Sequence, residues 1–255
     1  MQLTWDQQDA GADWEQLAPS VGRRRLPGWD CTVGLVAGEG AALMIDAGST
    51  LREGSELRAQ AQRLLGGGRR VTHLALTHPH FDHVLGAAAF AGVEVYGAVG
   101  LDTVFARGRD ELAADAVRHG VAPKAAGEAA DLLVHPHHLV CSEWTLDLGG
   151  GTQVLLANVG PGHTGHDLAV LVPGTSGTSG TSGSPEIVFC GDLVEESGEP
   201  QAGPDAMPSQ WPRALDRLLE LGGEDALYVP GHGSVVDAAF VRAQRDSLAA
   251  RYGVS

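Results

Sequence analysis

Four potential metal ligands fall within six residues: His78, His80, Asp82 and His83, in Thr77-His78-Pro79-His80-Phe81-Asp82-His83. They directly follow the apolar run VTHLALT at 71–77. Alternate residues of an extended segment project to the same side, so His78 and His80 can serve one cation. A turn after Phe81 re-aims Asp82 and His83 toward a second position. Imidazole and carboxylate donors suit a borderline cation such as zinc, whose catalytic sites keep a position open for water. Three further candidates share a setting, each ending a strand-like run beside glycine. They are His163 in GPGHTGH (160–166), Asp192 in FCGD (189–192) and His232 in VPGHG (229–233). Small neighbours let the backbone approach a metal closely.

The elements that must carry these residues follow a strand–helix rhythm. CTVGLVAG (31–38) and AALMID (41–46) flank Glu39-Gly40 and predict a β-hairpin. Leu57, Ala61, Leu64 and Leu65 share one face of a helix over 52–65, which Gly66, Gly67 and Gly68 end. A strand over 71–77, a helix over 84–91 and a strand over 93–97 come next. Residues 99–130 are Ala-rich and predict one or two helices, with Leu112, Val117 and Val121 on one face. Strands are expected at 139–147, 152–159, 168–172 and 186–191. A helix is expected around the stripe Trp211, Ala214, Leu215, Leu218 and Leu219, capped near Ser209, then a strand at 226–230 and a last helix at 238–251. Residues 1–30, with Trp5, Trp14 and Trp29, suggest an irregular or short-strand lead-in. The repeat TSGTSGTSGS (175–184) reads as a flexible surface loop. This layering predicts an α/β architecture in a single domain over 1–255.

The ligand order H-x-H-x-D-H, His, Asp, His over residues 78–232, with the strand end Met44-Ile45-Asp46-Ala47-Gly48, resembles the metallo-β-lactamase-fold hydrolase superfamily. The resemblance implies an αββα sandwich, a layered α+β fold of two mixed β-sheets flanked by helices, with a dinuclear site at one sheet edge. Carried over position by position, His78, His80 and His163 hold the first cation. Asp82, His83 and His232 hold the second, and Asp192 bridges them. Two divalent ions per chain follow, Zn2+ ahead of Fe or Mn. Two cations about 3.5–4 Å apart bring the pKa of a bridging water toward neutrality and clamp the attacking and leaving oxygens. The implied enzyme is therefore a metallo-hydrolase whose metal-bridging hydroxide attacks an ester-like, thioester or lactone carbonyl. Asp82 is its catalytic candidate, orienting the hydroxide. Asp46, close to the site in relatives, is expected to accept a ligand imidazole N–H. His166, three residues from His163, is expected behind the ligands or facing substrate. The insertion at 99–138 is expected to cover the metal edge, with the acidic pair Glu195-Glu196, and to select substrate.

Composition narrows the partners. Formal net charge is −15, from 17 Lys+Arg against 32 Asp+Glu, which argues against nucleic acid and against nuclease branches. No apolar run approaches the roughly 18–20 residues that span a bilayer, and no signal peptide is visible at the N-terminus. Cys31, Cys141 and Cys190 are few and widely spaced, which points to the cytoplasm. The expected partner is a small-molecule substrate, with no membrane. Class B β-lactamases are usually exported and do not use a bridging Asp like Asp192. The oxygen-reducing diiron branch generally has an acidic residue where this chain has His80. Glyoxalase II-like thioesterases match the ligands but carry a longer C-terminal helical segment than the 23 residues after His232, and lactonases share the ligands. The alternative is a mononuclear iron oxidoreductase resembling persulfide dioxygenases, using only His78, His163 and Asp192. Outside this set, His73 reads as packing or surface, and His119 as favouring a helix C-terminus. His135, His137 and His138 read as loop residues, Cys190 as a small buried group, and Arg23-Arg24-Arg25 as a solvated turn.

Overall fold

The computed structural model describes residue 3, residues 14–175 and residues 183–254. Trp5 and all but the ends of the TSG repeat lie outside the described residues; Thr175 and Ser184 pair as an antiparallel bridge at its mouth. The first half of the chain forms β1 (Trp14–Ala18), β2 (Val21–Arg25), β3 (Thr32–Ala37), β4 (Ala42–Ile45), α1 (Leu51–Leu65), β5 (His73–Ala75), α2 (Phe81–Val84), β6 (Glu94–Ala98), α3 (Leu101–Arg118), α4 (Pro123–Asp131) and β7 (His138–Val140). The second half forms β8 (Glu143–Asp147), β9 (Gln153–Asn158), β10 (Leu168–Val172), β11 (Ile187–Glu195), α5 (Trp211–Gly222), β12 (Leu227–His232) and α6 (Ala238–Tyr252).

Period-two burial in the strands builds the layers. In β4, Ala42 and Met44 pack toward the helices of the first half, while Leu43 and Ile45 pack toward the other sheet. In β10, Leu168, Val170 and Val172 face the first sheet, and Ala169 and Leu171 face α5 and α6. Strands buried on both faces, such as β3, β4, β10 and β11, have no exposed residue at all. The first sheet runs β1-β2-β3-β4-β5-β6-β7, antiparallel up to β4 and parallel beyond it. The second runs β12-β11-β10-β9-β8, with only β11 and β12 parallel. Two mixed sheets between helical layers form the αββα sandwich.

Several local expectations change. The run 139–147 is not one strand: it breaks at Cys141 and Ser142, so that β7 closes the first sheet and β8 opens the second. One apolar stretch thereby hands the chain across the core. Residues 99–138 connect β6 to its parallel neighbour β7, with Tyr96 opposite His138, and a parallel pair requires such a crossover. Leu112 (9% exposed) and Val121 (5%) lie in the core under the first sheet, and Val117 (38%) points outward. The helix expected over 84–91 instead splits into α2, which starts inside the metal motif, and a 3-10 turn over Ala87–Phe90. The lead-in supplies β1 at the sheet edge and β2 beside it, and Arg23 and Arg24 are buried in β2 rather than solvated. Gln210, not Ser209, is the N-cap of α5, without a side-chain bond.

Close contact of α1 with the turn after α2 depends on one glycine. A Cβ on Gly54 of α1 would lie 2.2 Å from the Gly86 carbonyl oxygen. Helix propensity favours Gly54→Ala, yet the backbone collision should destabilise the protein by about 2 kcal/mol or more. Gly108→Ala in α3 meets nothing within 4 Å and should instead stabilise by roughly 0.5–1 kcal/mol. Denaturant unfolding of the two variants checks the opposite signs.

Candidate metal centre

The seven ligand candidates arrive at one edge of the sandwich from five places in the chain. His78 follows β5 in a bend, His80 precedes α2 in extended backbone, and Asp82 and His83 sit in the first turn of α2. His163 lies in the loop between β9 and β10, and His232 is the last residue of β12. Asp192 does not end its strand, as its sequence setting suggests, but lies inside β11 at a break in register with β12. The break is centred on Gly191, whose φ is +53°. Such a bulge turns a side chain out of the alternation and toward the edge. Gly231 faces it: a Cβ there would lie 1.8 Å from Asp192 Oδ1.

Asp192 is the common neighbour. Its Oδ2 lies 3.2 Å from His232 Nε2 and 3.5 Å from both His78 Nε2 and His163 Nε2. Its Oδ1 lies 3.1 Å from His83 Nε2. His163 Nε2 is 3.0 Å from His80 Nδ1. Asp82 Oδ2 lies 3.4 Å from His232 Nε2 and 3.6 Å from His83 Nε2. Donor atoms therefore fall into groups able to hold a cation: His78, His80, His163 and Asp192 in one, and His83, Asp192 and His232 in another. Cys31, Asp82 and His83 form a further such group. The buried atoms His78 Nε2, His163 Nδ1 and Asp192 Oδ1 have no hydrogen-bond partner in the protein. Buried polar atoms are normally satisfied, and of these His78 Nε2 and Asp192 Oδ1 point into the cluster, so this donor set fits divalent cations.

Four of the five imidazoles are oriented from behind, which decides the nitrogen each offers. Asp46, with φ of +59°, accepts from Thr77 N, Thr77 Oγ1 and His83 Nδ1, each at 2.8 Å. The Thr77 hydroxyl, committed to Asp46, accepts from His78 Nδ1 at 2.9 Å. Nε2 of His78 and His83 therefore faces the centre. The Trp29 carbonyl accepts from His232 Nδ1 at 2.7 Å. Asp205 accepts from His80 Nε2 at 3.2 Å, which leaves Nδ1 inward. The His163 loop is pinned by Asp167, which accepts from Thr164 N at 3.0 Å and Thr164 Oγ1 at 2.7 Å. His166 faces none of the candidates: its Nδ1 donates to the Val99 carbonyl at 2.8 Å, against Gly100 at the start of α3.

Among the protein groups alone, burial pushes His78 well below the ordinary imidazole range, and burial brings His163 down to about 4. Both stay neutral, the form that ligates. Burial also opposes charging of Asp192, but His83, His78 and His232 outweigh it and hold the carboxyl well below its usual range. For His232 burial acts downward, and Asp192 raises it to about 9.

The remaining histidines have structural partners. His135 meets Phe105 edge-on, His137 Nδ1 accepts from Val95 N, and His138 pairs with Glu94. His73 stacks on Tyr96, and His119 Nδ1 donates to the Asp115 carbonyl at the end of α3. Cys190 is buried, its thiol directed at the Val188 carbonyl. Glu195 and Glu196 brace the chain around His232, Glu195 N donating to Gln244 Oε1 and Glu196 Oε2 accepting from Ser234 N. Sequence reasoning passed over Asp205, Asp167 and the Trp29 carbonyl. The first and last lie 125 and 203 residues from the histidines they hold, and no local spacing marks them.

A family profile described as the metallo-beta-lactamase superfamily matches residues 26–232. The Xenopus laevis protein called metallo-beta-lactamase domain-containing protein 1 is 29% identical over 204 residues, covering 80% of this chain and 71% of that one. A solved metallo-beta-lactamase from Pontibacter korlensis superposes with a TM-score of 0.68 at 20% identity, over 97% of this chain and 99% of its own. FIM-1 from Pseudomonas aeruginosa, solved in a mono-zinc form, gives 0.66 at 17% identity, over 100% and 98%.

Removing Asp46 tests the bracing behind the centre. Asp46→Ala leaves Thr77 N, Thr77 Oγ1 and His83 Nδ1 without an acceptor in a buried place. It should cost about 3–5 kcal/mol of stability, measured by denaturant unfolding of the metal-free protein. A loss below about 1 kcal/mol would show that the three bonds are replaceable.

Proposed function

Because the chain belongs to the metallo-beta-lactamase superfamily, we propose that it is a metal-dependent hydrolase with a two-cation centre. Zinc is its preferred ion, and its substrate is a small molecule with an ester-like, thioester or lactone carbonyl. One observation carries the reading: two donor groups, His78/His80/His163 and Asp82/His83/His232, meet on the shared carboxylate of Asp192. In this reading the first group holds one cation, the second group holds the other, and Asp192 bridges. When bound, the two ions supply Lewis acidity to a carbonyl oxygen and bring a coordinated water toward ionisation at neutral pH.

The chain's own residues prepare that chemistry. Neutral His78 and His163 present lone pairs without first losing a proton. Asp46, Asp205 and the Trp29 carbonyl fix ring orientation, so little reorganisation remains when a substrate arrives. Asp82 is placed beside His232 and His83 to accept a hydrogen bond from an attacking water and orient it. A single-iron oxygenase needs only His78, His163 and Asp192, and gives Asp82, His83 and His232 no role; the hydrolase reading uses them all. The acidic charge supports a small-molecule substrate over nucleic acid. Cys31, Cys141 and Cys190 are all free thiols, in keeping with a cytoplasmic setting. Among the described residues no helix is long and apolar enough to cross a membrane.

Metal analysis of the purified protein should give about two zinc ions per chain, and a panel of thioesters, lactones and phosphodiesters should show turnover on the first two classes. One iron per chain with persulfide oxidation overturns the proposal. Chelation should lower the melting temperature, since cations that bind only the folded chain stabilise it. Asp192→Asn keeps the side-chain shape but removes the shared negative charge. It should lose an ion and about two orders of magnitude or more of turnover while the fold survives.

A further inference from the structure

We propose that the segment 26–31, with Trp29 as its anchor, is the positioning element of the Asp82/His83/His232 position and acts on that position alone. The inference rests on the two-cation reading above. Its basis is an asymmetry in what holds the two donor groups.

All three donors of this position are touched by the short loop between β2 and β3. The Trp29 carbonyl takes the His232 Nδ1 hydrogen at 2.7 Å. Cys31, two residues on, pairs with His232 as an isolated antiparallel bridge. The buried Cys31 thiol donates to the Asp82 carbonyl at 3.2 Å, and its sulfur lies 3.7 Å from His83 Nε2. The donors of the other position are held by different parts of the fold: His78 by Thr77, His80 by Asp205, and His163 against Trp211, with ring centres 5.3 Å apart. Behind the donors, among the described residues, Asp46 reaches both groups, through Thr77 to His78 and directly to His83.

The loop is itself fixed by contacts that otherwise have little reason to coincide. Leu26 N donates to the Cys31 carbonyl at 2.7 Å and closes it. Asp30 takes a left-handed φ of +63°, which costs a non-glycine residue of the order of 1 kcal/mol or more. Arg25 holds it there with two bonds, Nε to Oδ1 at 2.6 Å and Nη2 to Oδ2 at 2.5 Å. The Trp29 indole donates to the His119 carbonyl at the end of α3 at 3.2 Å. Its ring stands edge-on to Phe81, which stacks on His119. The C-terminal end of α3 therefore meets this side of the centre at Phe81 and at Trp29, whose side chain sets where its own carbonyl meets His232.

The test titrates metal-free protein with Zn2+ against a chelating dye, comparing wild type, Trp29→Ala, Arg25→Ala and Asp205→Ala. The remaining ion in each one-zinc form is located by anomalous diffraction. Partners that orient metal-bound histidines are worth roughly 10–100-fold in affinity. Trp29→Ala should weaken one of the two ions by that factor, and the ion that stays should lie at His78, His80 and His163. Arg25→Ala, which leaves the indole in place, should weaken the same ion by a smaller factor. Asp205→Ala should do the reverse, and its remaining ion should lie at Asp82, His83 and His232. Equal weakening of both ions by Trp29→Ala, or unchanged affinities in both Trp29→Ala and Arg25→Ala, overturns the inference. A wild type that binds only one zinc at saturation overturns the two-cation reading, and this inference falls with it.

Discussion

A buried carboxylate surrounded by imidazoles is the constraint on which this structure depends. Asp192 is 7% exposed, and placing an ionised carboxylate there without compensation costs several kcal/mol. In the metal-free chain, charge compensation comes from His83 and His232, both raised above the ordinary imidazole range beside it, while neutral His78 and His163 also approach it; the four come from separate segments. That requirement shapes the ends of both sheets. The register of β11 against β12 breaks beside it, and Gly231 leaves the space that Asp192 occupies. The sandwich core can be filled by many apolar combinations of the right volume. The edge admits far fewer.

The centre has two kinds of support. One is shared: Asp46, at the end of β4, binds Thr77 and His83 together and so ties the loop after β5 to the loop after β4. Ala47 N donating to the His83 carbonyl and Gly86 N donating to the Gly48 carbonyl repeat this tie along the backbone. The other kind is local to each donor group, with Asp205 behind His80 and the Trp29 carbonyl behind His232. Divided support of this kind lets one fold adjust its two donor groups separately, because changes in one loop need not propagate through the rigid sheets. Superfamily membership follows from the sequence match over residues 26–232. The hydrolytic reading rests on the way the donors pair around Asp192.

Much of this was legible in the chain. The hairpin at 31–46, α1 and the stripe of α5 carry strong periodicity, and the structure places them within a residue or two of expectation. The seven donor candidates were legible because metal chemistry restricts residue types, and those restrictions survive in a linear string. Legibility failed where one pattern serves two structures. The run 139–147 reads as a single strand because β-propensity does not record which sheet a residue joins, and the change of sheet at Cys141 and Ser142 carries no signal of its own. The segment 99–138 reads as an insertion because a parallel crossover and an excursion have the same helical composition; only the pairing of β6 with β7 separates them.

Residue type and spacing, then, determined the layered class, the clustering of donors in residues 78–83 and the later arrivals of His163, Asp192 and His232. Those features are local, set by side-chain chemistry and by the periods of helix and strand. Tertiary structure alone decided which nitrogen His80, His83 and His232 turn inward, because the deciding partners sit far away in sequence: Asp205 for His80, Asp46 for His83, the Trp29 backbone for His232. It also decided that Asp192 stands at the meeting point of both donor groups. A hydrogen bond over 125 or 203 residues forms only after both sheets have closed, and it leaves no pattern in the chain beforehand.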